Sequence, residues 1–425
     1  MDALTLGPIK SLSGEVRLPG SKSISNRALL LAALAGGRTR IVNLLDGEDT
    51  QLMRRALSQL GIAVTPHGDA WTVAGGGGPL VTDGRRIELN LGLAGTALRP
   101  LAAALTLGNG EFVLDGTPRM RERPVGPLVS ALRALGADID YAATSGYPPV
   151  RIRAGGLAGG EADIDGSVSS QFLTSVLLAA PLAQRPVTLR VLGDLVSKPY
   201  IDITLDLMSR FGAEVRHRGH RRFAVANGGY RSPGECLVEG DASSATYFLA
   251  AGAIAGQGIR VEGVGAASIQ GDAAFADVLE AMGAQVERSA TSLAVRPAPL
   301  SGIDADLNHI PDAAMTVAVL ALFAKGATRI GNVANWRVKE TDRLAAMARE
   351  LRKLGAEVEE GPDGLAIDPP PALKPAAIET YGDHRMAMCF SLAALGGVPV
   401  TIKDPGCVAK TFPDYFEQFT ALIDS

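Results

Sequence analysis

The sequence predicts an α/β fold of the α+β kind, in two domains built from six repeats of one unit. Three observations carry this prediction. The chain has 425 residues, more than one simple core holds, so two domains are expected. Five segments, LSQLGIAV, LRALGADI, LMSRFGAEV, LEAMGAQV and LRKLGAEV, share one pattern and align on Gly61, Gly136, Gly212, Gly283 and Gly355, 71–76 residues apart. A second series of apolar helices begins near Ser23, Gly95, Ser169, Ala242, Asp312 and Asp383, at steps of 70–74 residues. Two series running in step argue against chance recurrence of a common LGA motif.

Each unit then holds two helices and several short strands. The series that opens with SISNRALLLAALA is apolar nearly all round beyond its first turn, as buried helices are. The other series keeps a charged face and is expected outside. Its glycine suits the position just after a helix, where the backbone turns to positive φ and a side chain would clash. The sixth outer helix is expected in FPDYFEQFTALIDS, with no strand left to follow it. The N-terminal ALTLGPI is expected to supply that strand. One domain is therefore 20–239, and the other is 1–19 plus 240–425.

Composition bounds the function. The chain is 47% hydrophobic, 20% charged and 5% aromatic, which is ordinary for a soluble globular protein. A net charge of −4 argues against a general nucleic-acid binder. Cys236, Cys389 and Cys407 form no CxxC pair or zinc spacing, so a reduced compartment is expected and no metal. MDALTLGPIK lacks the basic start and apolar stretch of a signal peptide. The apolar run MTVAVLALFA is too short to span a bilayer. A cytoplasmic protein is expected.

The polar residues gather at the starts of the apolar helices: SKSIS, AGTA, SSQ, DASS, PDAA and GDHR. Helix N-termini offer free N–H groups and a positive dipole end, so several together can bind anions. Capping alone accounts for DASS, but not for the cations found at the other starts. Lys22 and Arg27 in LPGSKSISNR lie at such a start, where a cation is unfavourable unless something offsets it. The spacing GxxxxGK[ST] is absent, so this is no nucleotide-binding P-loop. RMRERP places Arg119, Arg121 and Arg123 before an outer helix, with Pro124 suited to its first turn. NWRVKETDRL brings Lys339, Glu340 and Arg343 to another outer helix, with Glu340 and Arg343 on one face; a surface pair is the competing account. GDHRMAM adds His384 and Arg385, and VAKTFPDY adds Lys410. These cations fall at equivalent ends of units in both domains, which suits a substrate with several phosphate or carboxylate charges. Asp312 is a candidate base, with plain helix capping as its alternative. His217 and His220, in RHRGHRR, are expected on a solvated turn.

These stretches, together with GLAGTALRPLAAAL, DGSVSSQFLT and SKPYIDIT, resemble the 5-enolpyruvylshikimate-3-phosphate synthase family over essentially the whole chain and in family order. The resemblance implies two domains of three βαβαββ units each, an inside-out α/β barrel that closes on substrate. It implies transfer of the enolpyruvyl group of phosphoenolpyruvate to the 5-hydroxyl of shikimate 3-phosphate, in aromatic amino acid biosynthesis, by a cytoplasmic monomer that glyphosate inhibits. It further implies shikimate 3-phosphate contacts at Ser23, Arg27, Ser169, Ser170, Ser197, Tyr200, Asp312, Asn335 and Lys339. The phosphoenolpyruvate contacts it implies are Lys22, Gly95, Arg123, Gln171, Arg343, His384, Arg385 and Lys410. Asp312 is assigned as the base, and Glu340 and Lys22 are both candidates for proton transfer at the methylene carbon. No metal or organic cofactor is implied.

One position departs from the family. Where its pattern reads GNAGTA, this chain has Leu93, which cannot offer an amide donor or acceptor. Weakened glyphosate binding is expected. Two rivals remain: the sister transferase acting on UDP-N-acetylglucosamine, which typically uses a loop cysteine or aspartate, and a non-catalytic anion binder of the same fold. Cys407 is the only loop thiol and is expected to be incidental. Intact Lys22, Asp312, Glu340 and Arg343 argue against the binder.

Overall fold

A computed structural model describes residues 2–424, and at 81–84 the backbone alone. The chain divides into two compact units, Gly20–Val238 and Met1–Pro19 with Glu239–Ser425. The boundary comes one residue before the expected 239. Glu239 groups with the later unit because its carboxylate accepts bonds from Ser268, Ile269 and Gln270 there.

Unit Gly20–Val238 carries α1 Lys22–Leu34, α2 Glu48–Gln59, α3 Gly95–Leu105, α4 Gly126–Ala134, α5 Ser170–Ala179 and α6 Pro199–Arg210. The other unit carries α7 Ala242–Ile254, α8 Phe275–Ala281, α9 Ala314–Leu320, α10 Arg343–Lys353, α11 His384–Ser391 and α12 Tyr415–Ala421. The odd-numbered helices are the apolar series. In α7 every residue but Ile254 is buried, and in α1 every residue but Ser23. The even-numbered helices are the charged series, and α2, α4, α6, α8 and α10 each run into a glycine of the repeat. All five glycines adopt positive φ, from 83° to 104°, the conformation that favours their lack of a Cβ.

The sheets follow one plan. In the sheet of Val81–Asn90, Asn109–Asp115, Asp138–Tyr141 and Val150–Gly155, the first two strands run parallel across α3. The last strand in sequence then inserts antiparallel between the second and third. Alternate residues such as Phe112, Leu114, Ile139 and Ile152 are buried against the helices, while their neighbours face outward. Helices thus fill the middle of each unit and sheets cover it. The last repeat has a three-stranded sheet: Ala3–Leu6 pairs antiparallel with Val400–Lys403, which runs parallel to Ala376–Ile378.

Two strands are exchanged relative to sequence order. Ser13–Arg17 directly precedes α1 but pairs with Gly258–Glu262, beyond α7. Glu235–Leu237 directly precedes α7 but pairs with Gly36–Val42, beyond α1. Every helix start of the repeat therefore still follows a strand of the same plan.

Candidate active site

In each unit, hydrogen bonds and ion pairs link several of the residues expected at the site. In Gly20–Val238, Lys22 opens α1 and its ammonium stands 3.6 Å from Asp49 of α2. The cost of a cation at this helix start is therefore offset in part by a carboxylate of the protein. Arg27, about one turn further along, is buried. It donates to Thr204 Oγ1 at 2.8 Å, to the Ser23 carbonyl at 2.9 Å and to the Tyr200 carbonyl at 3.1 Å. Burial lowers its pKa to about 10, so it stays charged at neutral pH. Ser197 precedes α6 at φ 55°, a conformation rare outside glycine and held here by its surroundings.

Helix α3 opens on Gly95 at close quarters. A Cβ there would stand 2.5 Å from Arg99 Nη1 and 3.1 and 3.2 Å from the Arg123 Nη atoms. Glycine thus lets two guanidiniums lie against a helix start. Arg99 donates to Gln171 Oε1 at 2.6 Å, and Arg123 donates to the Leu93 carbonyl at 3.3 Å. Ser169 caps α5 by accepting from the Gln171 N–H, and Ser170 follows as its first residue. Asn26 donates to Thr96 at 2.7 Å. These bonds tie the starts of α1, α3, α5 and α6 together. Of the three arginines in RMRERP, only Arg123 is buried. Arg119 and Arg121 pair with Glu122 and Asp115 at the surface.

The second cluster centres on Asp312. It is not a cap: α9 starts two residues later and has no side-chain cap bond. Its carboxylate instead accepts from Arg343 Nη1 at 2.8 Å and Arg385 Nη2 at 2.9 Å, with Lys339 Nζ at 3.6 Å. Arg343 also reaches Glu340 at 3.0 Å and Asp383 at 2.7 and 3.3 Å. The Arg343 side chain is 1% exposed and that of Glu340 8%, so this is a buried pair and not a surface one. Burial opposes the charge on Arg343, but Asp383, Glu340 and Asp312 outweigh it and raise its pKa. Removing one partner from such a buried network costs about 3–5 kcal/mol.

Local structure around Asp312 departs from the expectation at two points. Lys339 and Glu340 lie in the turn before α10, which is capped by Asp342 through the Ala345 N–H. Lys410 ends the short 3-10 segment Pro405–Lys410 and does not start a helix. Asn335 is buried in another 3-10 segment, Ala334–Val338, where Trp336 Nε1 donates to the Pro311 carbonyl at 2.6 Å. Asp383 caps α11 by accepting from the Arg385 N–H, and His384 Nδ1 stands 3.4 Å from the same carboxylate. Arg385 also donates to Tyr247 at 3.1 Å.

Sequence reasoning did not find Asp49, Arg99, Tyr247, Asp272 or the second role of Asp383. Arg99 left a signal, as the lone charge in an apolar helix. The pairing of Asp49 left none. His220 lies on an exposed hairpin and pairs with Asp202 at 2.6 Å. Burial pushes the Cys407 thiol up to about 12, which makes it a poor nucleophile at neutral pH. Among the described residues, no group of three or more His, Cys, Asp or Glu side chains is placed to hold a metal.

The chain matches the sequence model of the family described as EPSP synthase (3-phosphoshikimate 1-carboxyvinyltransferase) over residues 6–419. It is 58% identical to the 3-phosphoshikimate 1-carboxyvinyltransferase of Aliivibrio salmonicida, across 99% of this chain and 100% of that one. The enzyme of that name from Shewanella amazonensis is 60% identical, with 99% of each chain covered. The EPSP synthase structure from Acinetobacter baumannii superposes with a TM-score of 0.81 at 28% identity, over 99% of this chain and 98% of that one. The enolpyruvyl transferase NikO of Streptomyces tendae shares the fold, with a TM-score of 0.78 at 21% identity, over 99% and 97% of the two chains.

Proposed function

The chain belongs to the EPSP synthase family, and on that premise we propose how its two clusters divide the reaction. The enzyme transfers the enolpyruvyl group of phosphoenolpyruvate to the 5-hydroxyl of shikimate 3-phosphate and releases phosphate. In Gly20–Val238, Ser23, Arg27, Ser169, Ser170, Ser197 and Tyr200 serve shikimate 3-phosphate. Hydroxyl groups and a buried guanidinium suit a phosphate on a polyhydroxy ring. Lys22, Gly95, Arg123 and Gln171 serve phosphoenolpyruvate. In the other unit, Asp312, Asn335 and Lys339 serve the first substrate, and Arg343, His384, Arg385 and Lys410 the second.

The observation that carries this reading is the Asp312 carboxylate held between two guanidiniums. When anionic oxygens occupy Arg343 and Arg385, Asp312 is released to accept the proton of the 5-hydroxyl. The hydroxyl oxygen then bonds to carbon 2 of phosphoenolpyruvate, while Glu340 or Lys22 delivers a proton to carbon 3. The tetrahedral product keeps its phosphate on carbon 2. Loss of phosphate and of one methyl proton restores the double bond. The arginines stabilise charge throughout. We also place the enzyme in the cytoplasm, as a monomer without cofactor; no helix among the described residues is long and apolar enough to cross a membrane.

Phosphate release with both substrates present tests the activity. Release only with UDP-N-acetylglucosamine would transfer the chain to the sister activity. Asp312→Ala and Glu340→Ala are each expected to lower kcat at least about a hundredfold, the scale of lost acid–base catalysis. Near-normal kcat in either variant would remove that residue from the mechanism.

A further inference from the structure

The segment Glu379–Asp383 leads into His384 and Arg385, and α10 holds it at both ends. Arg343, the first residue of α10, binds Asp383 at 2.7 and 3.3 Å. Two turns along the same helix, Glu350 is fully buried. Its carboxylate accepts from the Tyr381 hydroxyl at 2.6 Å, the Glu379 N–H at 3.1 Å and Lys353 Nζ at 2.6 Å. Between these anchors, Tyr381 and Gly382 adopt left-handed conformations in succession, with φ 55° and 67°. Tyrosine rarely takes that conformation unless its surroundings hold it there. The surroundings here are Glu350 and Arg349, whose guanidinium donates to the Tyr381 hydroxyl at 3.2 Å and lies over its ring. The Asp383 N–H closes the turn onto the Thr380 carbonyl at 2.8 Å.

A buried carboxylate with three donors is an expensive feature to maintain. The helix does not need it, since an apolar residue at this position would suit α10 alone. What it serves is the turn.

We propose that Glu350 is a positioning residue for the anion-binding arginines: through Tyr381 and the Glu379 N–H it sets the turn that places Asp383, and through Asp383 it orients Arg343, His384 and Arg385. This rests on the reading that these residues receive phosphoenolpyruvate. Glu350 touches no substrate. Its loss lets the turn relax and shifts the guanidiniums, while Arg27, Ser169 and Ser170 keep their places in the other unit.

The test is steady-state kinetics on the full chain, varying each substrate in turn, for Glu350→Ala, Glu350→Gln and Tyr381→Phe. Glu350→Ala and Tyr381→Phe are expected to raise KM for phosphoenolpyruvate about tenfold, the scale of one weakened hydrogen bond to a charged group. KM for shikimate 3-phosphate should rise less than that for phosphoenolpyruvate, since Arg27, Ser169 and Ser170 in the other unit are untouched, although Asp312 shares bonds with the displaced guanidiniums. Glu350→Gln, which keeps an acceptor for the Glu379 N–H, should recover part of the loss. A purely structural Glu350 would lower Tm and leave both KM values of the folded variants at the wild-type level, and that result overturns the proposal. If Glu350→Ala does not fold, the other two variants decide. If the wild-type chain itself releases no phosphate, the functional reading fails separately. Protection against thermal unfolding by inorganic phosphate then still tests Glu350, and equal protection of wild type and Tyr381→Phe would overturn its role.

Discussion

Asp272 lies fully buried beside α7, with Ser243 donating to its carboxylate. Burial, and then the nearby Asp312, pushes its pKa from 3.8 up to about 7. Across that window the folded protein keeps a proton that the unfolded chain has lost, so stability falls as pH rises through it. Asp272→Asn carries no charge at any pH. Its Tm is expected to exceed that of wild type at about pH 8 and to match it near pH 3, below both the unfolded and the folded pKa of Asp272. Matching Tm values at the higher pH would show that the carboxylate carries no such penalty. Leu93 offers a second case. Its carbonyl already serves Arg123, so only a side-chain amide is missing. Leu93→Asn is expected to tighten glyphosate inhibition about tenfold, the value of one hydrogen bond to a charged group. Equal inhibition constants would sink this. At this scale Lys22, Arg27, Arg123, Asp312, Arg343 and Arg385 were legible because each is a charged residue at or near a helix start of the repeat. Asp49 and Asp272 were not, since a buried carboxylate resembles any surface carboxylate until its neighbours are known.

The helices and the strand that completes the last sheet were readable because repetition averages over the weak signal of any one segment. Ala3–Leu6 was expected to supply a strand to the last repeat, and it does so along Val400–Lys403. It buries Leu6 and joins Thr5 to Thr401 at 2.9 Å. Deleting residues 1–6 exposes the edge of Val400–Lys403. That should cost about 2–4 kcal/mol from lost burial and ladder bonds, seen as a lower midpoint in urea. An unchanged midpoint would mean that the strand adds nothing to this unit. The partner of Glu235–Leu237 was not readable. A three-residue strand carries no register of its own, and its pairing with Gly36–Val42 bridges nearly two hundred residues of sequence.

At the scale of the whole molecule, the exchanged strands decide where the chain can be cut. A chain of residues 20–238 holds every strand of its three sheets and is expected to unfold in one cooperative transition. A chain of residues 13–230 holds the same repeats in sequence register. It lacks Glu235–Leu237 and carries Ser13–Arg17 without its partner Gly258–Glu262, so it is expected to unfold at lower denaturant. Equal midpoints would show that the exchange does not matter for stability.

Periodicity settled the number of units, the sorting of helices into buried and exposed series, and the gathering of cations at helix starts, because each is a property of neighbouring residues. Which carboxylates face those cations was decided by tertiary structure. Asp49 meets Lys22, Asp312 joins Arg343 to Arg385, and Glu350 holds the turn before His384, each across separate elements. These ion pairs and hydrogen bonds join separate elements, and no spacing along the chain encodes them.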